Sequence, residues 1–154
     1  MRKIIIVLLA CSWIMTACVK SKGLYSNELF IAATMGNISW VATPSTNVIA
    51  NTDSVQIQGV KETADGSQNL SIRLKFTGPG TYAITGQQAA YINYVEAASL
   101  KYQLDTTQTN NITIATHNVV DGISTGSFQL HFVNAATGNK ADFTNGSFWL
   151  QMPF

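Results

Sequence analysis

Apolar and polar residues alternate with a period of two along much of this chain, and helix-period patterns do not recur. Leu70, Ile72, Leu74 and Phe76 alternate with Ser71, Arg73 and Lys75, which makes a ribbon with one apolar and one wet face. Val55 and Ile57 flank Gln56 in the same way, Ile112 and Ile114 flank Thr113, and Gln129 and His131 separate Phe128, Leu130 and Phe132. Turn-forming pairs punctuate the ribbons at Gly36-Asn37, Asp65-Gly66, Gly78-Pro79-Gly80, Asp121-Gly122, Gly138-Asn139 and Asn145-Gly146. The pattern predicts strands over 29–35, 38–43, 47–51, 54–60, 69–76, 80–85, 90–95, 99–104, 110–117, 124–134 and 139–152. Short strands with turns every ten residues or so define an all-β fold, an antiparallel β-sandwich or a flattened β-barrel of about 9–11 strands.

One stretch, Gln87 to Ala98, is alanine-rich and has some helical character. Tyr91, Asn93 and Val95 set against Ile92, Tyr94 and Glu96 fit a pleat better, because aromatic and β-branched residues suit strands. The hairpin around Asp121-Gly122 also tests itself for register. A two-residue turn there would set inward Leu130 against outward Thr113, so an extra residue is required, and Gly126 is the expected bulge. In that register His131 lies opposite residues near Asn111, five or six positions from His117, which puts the two rings roughly 15–20 Å apart.

The N-terminus has a different pattern. Met1-Arg2-Lys3 precedes the apolar run Ile4 to Ala10, and the run ends near Met15, short of the roughly 20 residues that span a bilayer. Residues 1–17 therefore read as a secretory signal. Met15-Thr16-Ala17-Cys18 resembles a lipobox, which makes Cys18 the expected lipidation site; cleavage before Cys11 would leave only Ile4 to Ala10 as the apolar region. Residues 18–27 are a polar tether, and 28–154 one domain of a size that buries a core. Cys11 and Cys18 are the only cysteines, so a lipidated mature chain carries neither a free thiol nor a disulfide. Several acyl chains anchor a protein firmly. Val19 follows the cysteine and no acidic run comes after it, so by resemblance to lipoprotein sorting rules the expected address is the outer membrane, facing the periplasm, with the cell surface as the alternative.

Charge and candidate chemistry narrow the function further. Nine basic residues, two of them in the leader, stand against eight acidic ones and are scattered, so no stripe for nucleic acid exists. His117 and His131 are too far apart to share a metal at about 2 Å each, and no metal or other cofactor is expected. A local pair of His117 with Asp121 is the remaining use for that histidine. Asp53, Asp65, Asp105 and Asp121 fall in turns, where aspartate is a good turn former. Gly122-Ile123-Ser124-Thr125-Gly126 has the spacing of a nucleophile elbow but runs into a predicted strand and not a helix, and there is no phosphate-cradling glycine pattern. The reading is non-enzymatic.

Aromatic residues are the remaining lead. Tyr91 and Tyr94 point to opposite faces of one strand, and Trp149 faces away from Phe148 and Leu150, so Tyr91, Tyr94 and Trp149 are the candidate ligand-contact residues for a glycan or protein partner. Asp53-Ser54-Val55 and Asp105-Thr106-Thr107 are similar to a three-residue bacterial O-glycosylation acceptor.

Four segments carry a wider resemblance: Ala33 to Trp40, Gly78-Pro79-Gly80-Thr81-Tyr82, Gly126 to Leu130, and Asp142 to Phe148. From about Leu29 to the end the chain resembles a family of small bacterial lipoproteins known only as a domain of unknown function. That family usually carries Asn then Gly in its first hairpin; here Gly36 precedes Asn37. The resemblance implies a β fold and a lipid anchor. The expectation is a membrane-anchored extracytoplasmic binding or structural β module, the alternatives being an envelope glycan hydrolase using loop carboxylates and a lipid-carrying barrel.

Overall fold

The computed structural model describes residues 28–49, 52–95 and 98–153. The expected signal, Cys18 and the expected tether lie outside the described residues. Ten strands form: β1 (Phe30–Met35), β2 (Ile38–Ile49), β3 (Ser54–Thr63), β4 (Gly66–Lys75), β5 (Gly80–Ala83), β6 (Ala89–Val95), β7 (Ala98–Leu104), β8 (Asn111–His117), β9 (Ile123–Val133) and β10 (Lys140–Gln151). The segment with helical character contributes one 3-10 turn, Gly86–Gln88, ahead of β6.

The architecture is a barrel, which decides between the two expected forms. Eight strands close in the order β10-β1-β2-β3-β4-β6-β7-β9 and back to β10, every pair antiparallel. β8 and β5 extend the sheet from β9. Closure is narrow: β7 and β9 share only the pairs Gln103–Val133 and Leu104–Phe132, and further back the same edge of β9 pairs with β8.

Two of the expected strands, 38–43 and 47–51, are one. β2 runs through Pro44 because its neighbours change there: β1 pairs with Ile38 to Ala42, and β3 with Thr43 to Ile49. Opposite Pro44 the β1 side of the ladder is already empty, so the missing N–H is tolerated. The first hairpin explains the reversed glycine. Gly36 has φ +62° while Asn37 is not left-handed, which fits a two-residue turn with glycine first.

Two irregularities fall elsewhere than expected. Asn145-Gly146 is not a turn but a bulge inside β10, with Asn145 at φ +50° and the register shifting between Phe143 and Gly146. In the β8–β9 hairpin an extra residue is indeed present, but on the other strand: Ile114 pairs with Gly126 and Thr116 with Thr125, leaving Ala115 as the bulge. Gly126 has no room for a side chain, which is why it stands opposite the irregularity.

Alternation sorts the side chains as the sequence predicts. Leu70, Ile72 and Leu74, Val55 and Ile57, Ile112 and Ile114, and Phe128, Leu130 and Phe132 are all buried. At the centre Phe143 meets Trp40 edge-on at 5.1 Å, Tyr91 at 5.1 Å and Phe132 at 5.8 Å. Such pairs add about 0.5–1.5 kcal/mol each beyond their burial. Trp40 needs Gly59 beneath it: a Cβ there would lie 2.7 Å from Ile31 Cγ2 and 2.9 Å from Trp40 Cη2.

Candidate functional site

β6 gives the barrel wall two chemically different sides. Its odd residues Tyr91 and Asn93 face inward with the buried Leu70 and Gln68 row of β4, and its even residues Ala90, Ile92 and Tyr94 face out. Tyr91 is 2% exposed and belongs to the aromatic core, which corrects its expected place on a surface platform. Tyr94 is 39% exposed on the outer face. Trp149 is half-buried on the outer face of β10, its indole nitrogen buried without a hydrogen-bond partner among the described residues. β10 and β6 are separated by two strands on the shorter way round the barrel, so the three aromatics do not form one site.

The structure instead gathers Tyr94 with residues the sequence did not single out. A groove of about 450 Å³ runs across the outer wall of β3, β4 and β6, lined by Gln56, Gln58, Val60, Asn69, Ser71 and Ala90 together with Ile92 and Tyr94. That volume falls in the range of about 300–1,000 Å³ typical of ligand sites. Register explains its shape. Ser71 stands opposite Ala90, two small side chains that leave a dip, while Val60, Asn69 and Ile92 form the adjacent row across the three strands. Gln56 Nε2 donates to Ser71 Oγ at 3.1 Å, fixing one wall. Asn69 Oδ1 is buried with no hydrogen-bond partner among the described residues, so the groove presents an acceptor whose donor has to come from outside or from water. None of the eight lining residues named here is charged. The signal that could have revealed this site is the Ser71–Ala90 pairing, and it was invisible because β5 intervenes between β4 and β6 in the sequence.

The other candidate chemistry is tied into the scaffold. His117 stands opposite Ser124 with Nδ1 2.8 Å from Ser124 Oγ, and its ring packs on Phe76 at 4.9 Å. It does not pair with Asp121, whose Oδ1 accepts from the Ile123 N–H at 2.9 Å and whose Oδ2 accepts from Asn118 Nδ2 at 3.1 Å. His131 lies seven positions along β9 from Ser124, about 23 Å away by strand rise, so the histidines stand even farther apart than the sequence suggested. His131 Nδ1 lies 2.8 Å from Asp142 Oδ1, and Gln129 Nε2 lies 3.0 Å from its Nε2. Among the described residues no group of three or more metal-ligating side chains occurs.

Asp105 is a turn residue, as expected. Its Oδ1 accepts from the Thr107 hydroxyl at 2.6 Å and the Thr107 N–H at 3.0 Å, and these bonds, helped by Lys140 and His131, hold its carboxyl below the ordinary range. Thr106 beside it is exposed, whereas Ser54 opens β3. Asp53 makes an exposed pair with Lys75 at 3.4 Å, of the kind that contributes little. Tyr91 is pushed from its ordinary value of 10.0 to about 12, first by burial and then by the neighbouring Tyr102 hydroxyl.

Fold and groove together define a small closed β-barrel domain with a ligand-sized depression on its wall. Residues 27–150 match the family described as Domain of unknown function (DUF6252), and the chain belongs to that family. No curated protein and no solved structure matches the chain significantly.

Proposed function

We propose that this protein is an exported lipoprotein, anchored through Cys18, whose barrel binds an uncharged envelope glycan on the outer wall formed by β3, β4 and β6 without acting on it chemically. The observation that carries the reading is the uncharged groove in which the half-exposed ring of Tyr94 and the apolar Ile92 and Val60 adjoin the amides of Gln56, Gln58 and Asn69. Aromatic rings and amides suit a sugar chain, which offers apolar ring faces and hydroxyls that both donate and accept. A peptide adding itself as a strand needs a free edge. β4 is paired on both sides, so only side chains are available here.

The non-catalytic part rests on where the acids go. Asp105, Asp121, Asp142 and Asp53 are engaged by Thr107, Asn118 with Ile123, His131 and Lys75, so these four carboxylates serve the scaffold. The core is packed with Trp40, Phe132 and Phe143 at zero exposure, which favours a filled barrel over a lipid carrier. The test uses full-length protein in a detergent without a sugar head group, titrated with neutral oligosaccharides of several linkages. Binding weakened at least fivefold by Tyr94→Ser, with the melting temperature unchanged, supports the reading; no binding, or binding indifferent to Tyr94, overturns it.

A further inference from the structure

The inward side of β6 leads to a second feature, at one end of the barrel. A cavity of about 260 Å³ lies there between the β1–β2 turn (Met35, Gly36), β6 (Tyr91, Asn93), β7 (Tyr102) and the start of β10 (Lys140, Ala141, Asp142). Phe30, where the described chain enters β1, is at the opposite end of that strand from Met35. The cavity therefore faces away from the end where the tether joins.

Its polar groups are unspent. The Tyr91 and Tyr102 hydroxyls and the Asn93 amide have no hydrogen-bond partner among the described residues, although Tyr91 is 2% exposed. Buried polar atoms are normally paired, and a cluster left open in one place marks where a hydrogen-bonding guest or ordered water belongs.

The mixture of groups selects the guest. Tyr91 and Tyr102 can each donate and accept, as can the Asn93 amide, whereas the Asp142 carboxylate is already held by His131. The lining holds one cation, Lys140, and one anion, Asp142, so its charge favours neither kind of ion. A hydrophobic guest would leave the two tyrosine hydroxyls and the Asn93 amide unpaired, each at a cost. A sugar hydroxyl, donor and acceptor at once, satisfies both kinds of group, and the half-buried Tyr102 ring, packed on Tyr91 at 5.3 Å, adds apolar surface for a sugar ring. The volume is below the range of about 300–1,000 Å³ that encloses drug-sized ligands, so it takes one ring and not a chain.

We propose that this end of the barrel is a second binding site, one that takes a single neutral sugar ring held by Tyr91, Tyr102 and Asn93. It is separate from the outer groove, since the two sites use opposite faces of β6.

The test is a titration of full-length protein, isotopically labelled and in a detergent without a sugar head group, with glucose, galactose, mannose and N-acetylglucosamine, and in parallel with acetate and phosphate. At least one of the sugars is expected to shift the Tyr91, Asn93 and Tyr102 resonances, with acetate and phosphate leaving them in place. Tyr102→Phe and Tyr91→Phe each weaken that sugar about 3- to 10-fold by removing one hydroxyl from an otherwise intact ring. Tyr94→Ser leaves this affinity unchanged, so failure of the outer groove and failure of the mouth register separately. If Tyr91→Phe alters the melting curve, Asn93→Ala replaces it. No shift with any of the four sugars, stronger shifts with the anions, or an affinity indifferent to both tyrosine hydroxyls overturns the proposal.

Discussion

Phe148 and Gly126 face each other across β10 and β9, and the ring of Phe148 fills the space where a side chain on Gly126 would stand. A Cβ at Gly126 would lie 2.9 Å from Phe148 Cε1 and closer still to its Cζ and to the Thr113 carbonyl. The relationship recurs two pairs along with the roles exchanged, since Gly146 faces Phe128 and a Cβ there would come within 2.6 Å of that ring. Aromatic rings laid over glycines let β8, β9 and β10 pack closely here.

Gly126→Ala is therefore expected to destabilise the fold by about 1–3 kcal/mol, the usual cost of overfilling a packed core, and more if the Thr113 carbonyl cannot move. Urea unfolding of the variant against the parent measures it. A change below about 0.5 kcal/mol, the range of neutral surface substitutions, would show that this contact is not tight.

Alkaline pH offers a test of the Tyr91 environment. Burial and Tyr102 raise its folded pKa from 10.0 to about 12, so the folded protein holds the phenolic proton more firmly than the unfolded chain. The stabilisation is fully present below pH 10 and is lost as pH rises towards 12. Melting temperature recorded across that window should fall for the parent and fall less for Tyr91→Phe; equal slopes would contradict the assignment.

At the acid end Asp105 acts in the opposite sense. Its hydrogen bonds from Thr107 lower the folded pKa, so its contribution is present above the ordinary carboxylate range and is lost as pH falls through the folded value. Asp105→Asn should flatten the acid limb of the stability curve. Thr107→Val, which removes the hydroxyl donor, should do so in part; an acid limb unchanged in both would exclude the turn as its source.

For the anchor, Cys18→Ala is expected to move the protein from the membrane fraction to the soluble fraction. Intact-mass measurement on the parent should show a lipid adduct at Cys18. An unmodified thiol there, with the protein still exported, would contradict the anchored reading.

The alternation of Leu70 to Phe76 and of Phe128 to Phe132 made the strands and the inward set legible, because each ribbon carries its own solvent preference in its residues. Neighbour exchange was not. Nothing near Pro44 in the sequence says that β1 stops beside it, and the two-pair closure of β7 on β9 depends on residues thirty positions apart. The bulge was anticipated as a count but not as a position: the register required one extra residue, and only the tight packing around Gly126 assigns it to Ala115. Tyr94 was legible as an outward aromatic, whereas Ser71 and Asn69 on β4 and Gln58 on β3 share its face only through the β4–β6 pairing, which no local pattern announces.

The most direct measurement is a residue-by-residue map of amide shifts in the labelled full-length protein as a neutral oligosaccharide is added. The account predicts that the largest saturable shifts fall on Ala90, Ile92 and Tyr94 with Gln58, Asn69 and Ser71 across β3 and β4. Saturable shifts confined to the β8–β9 loop or to the β5 edge, or none with any neutral glycan, would contradict it.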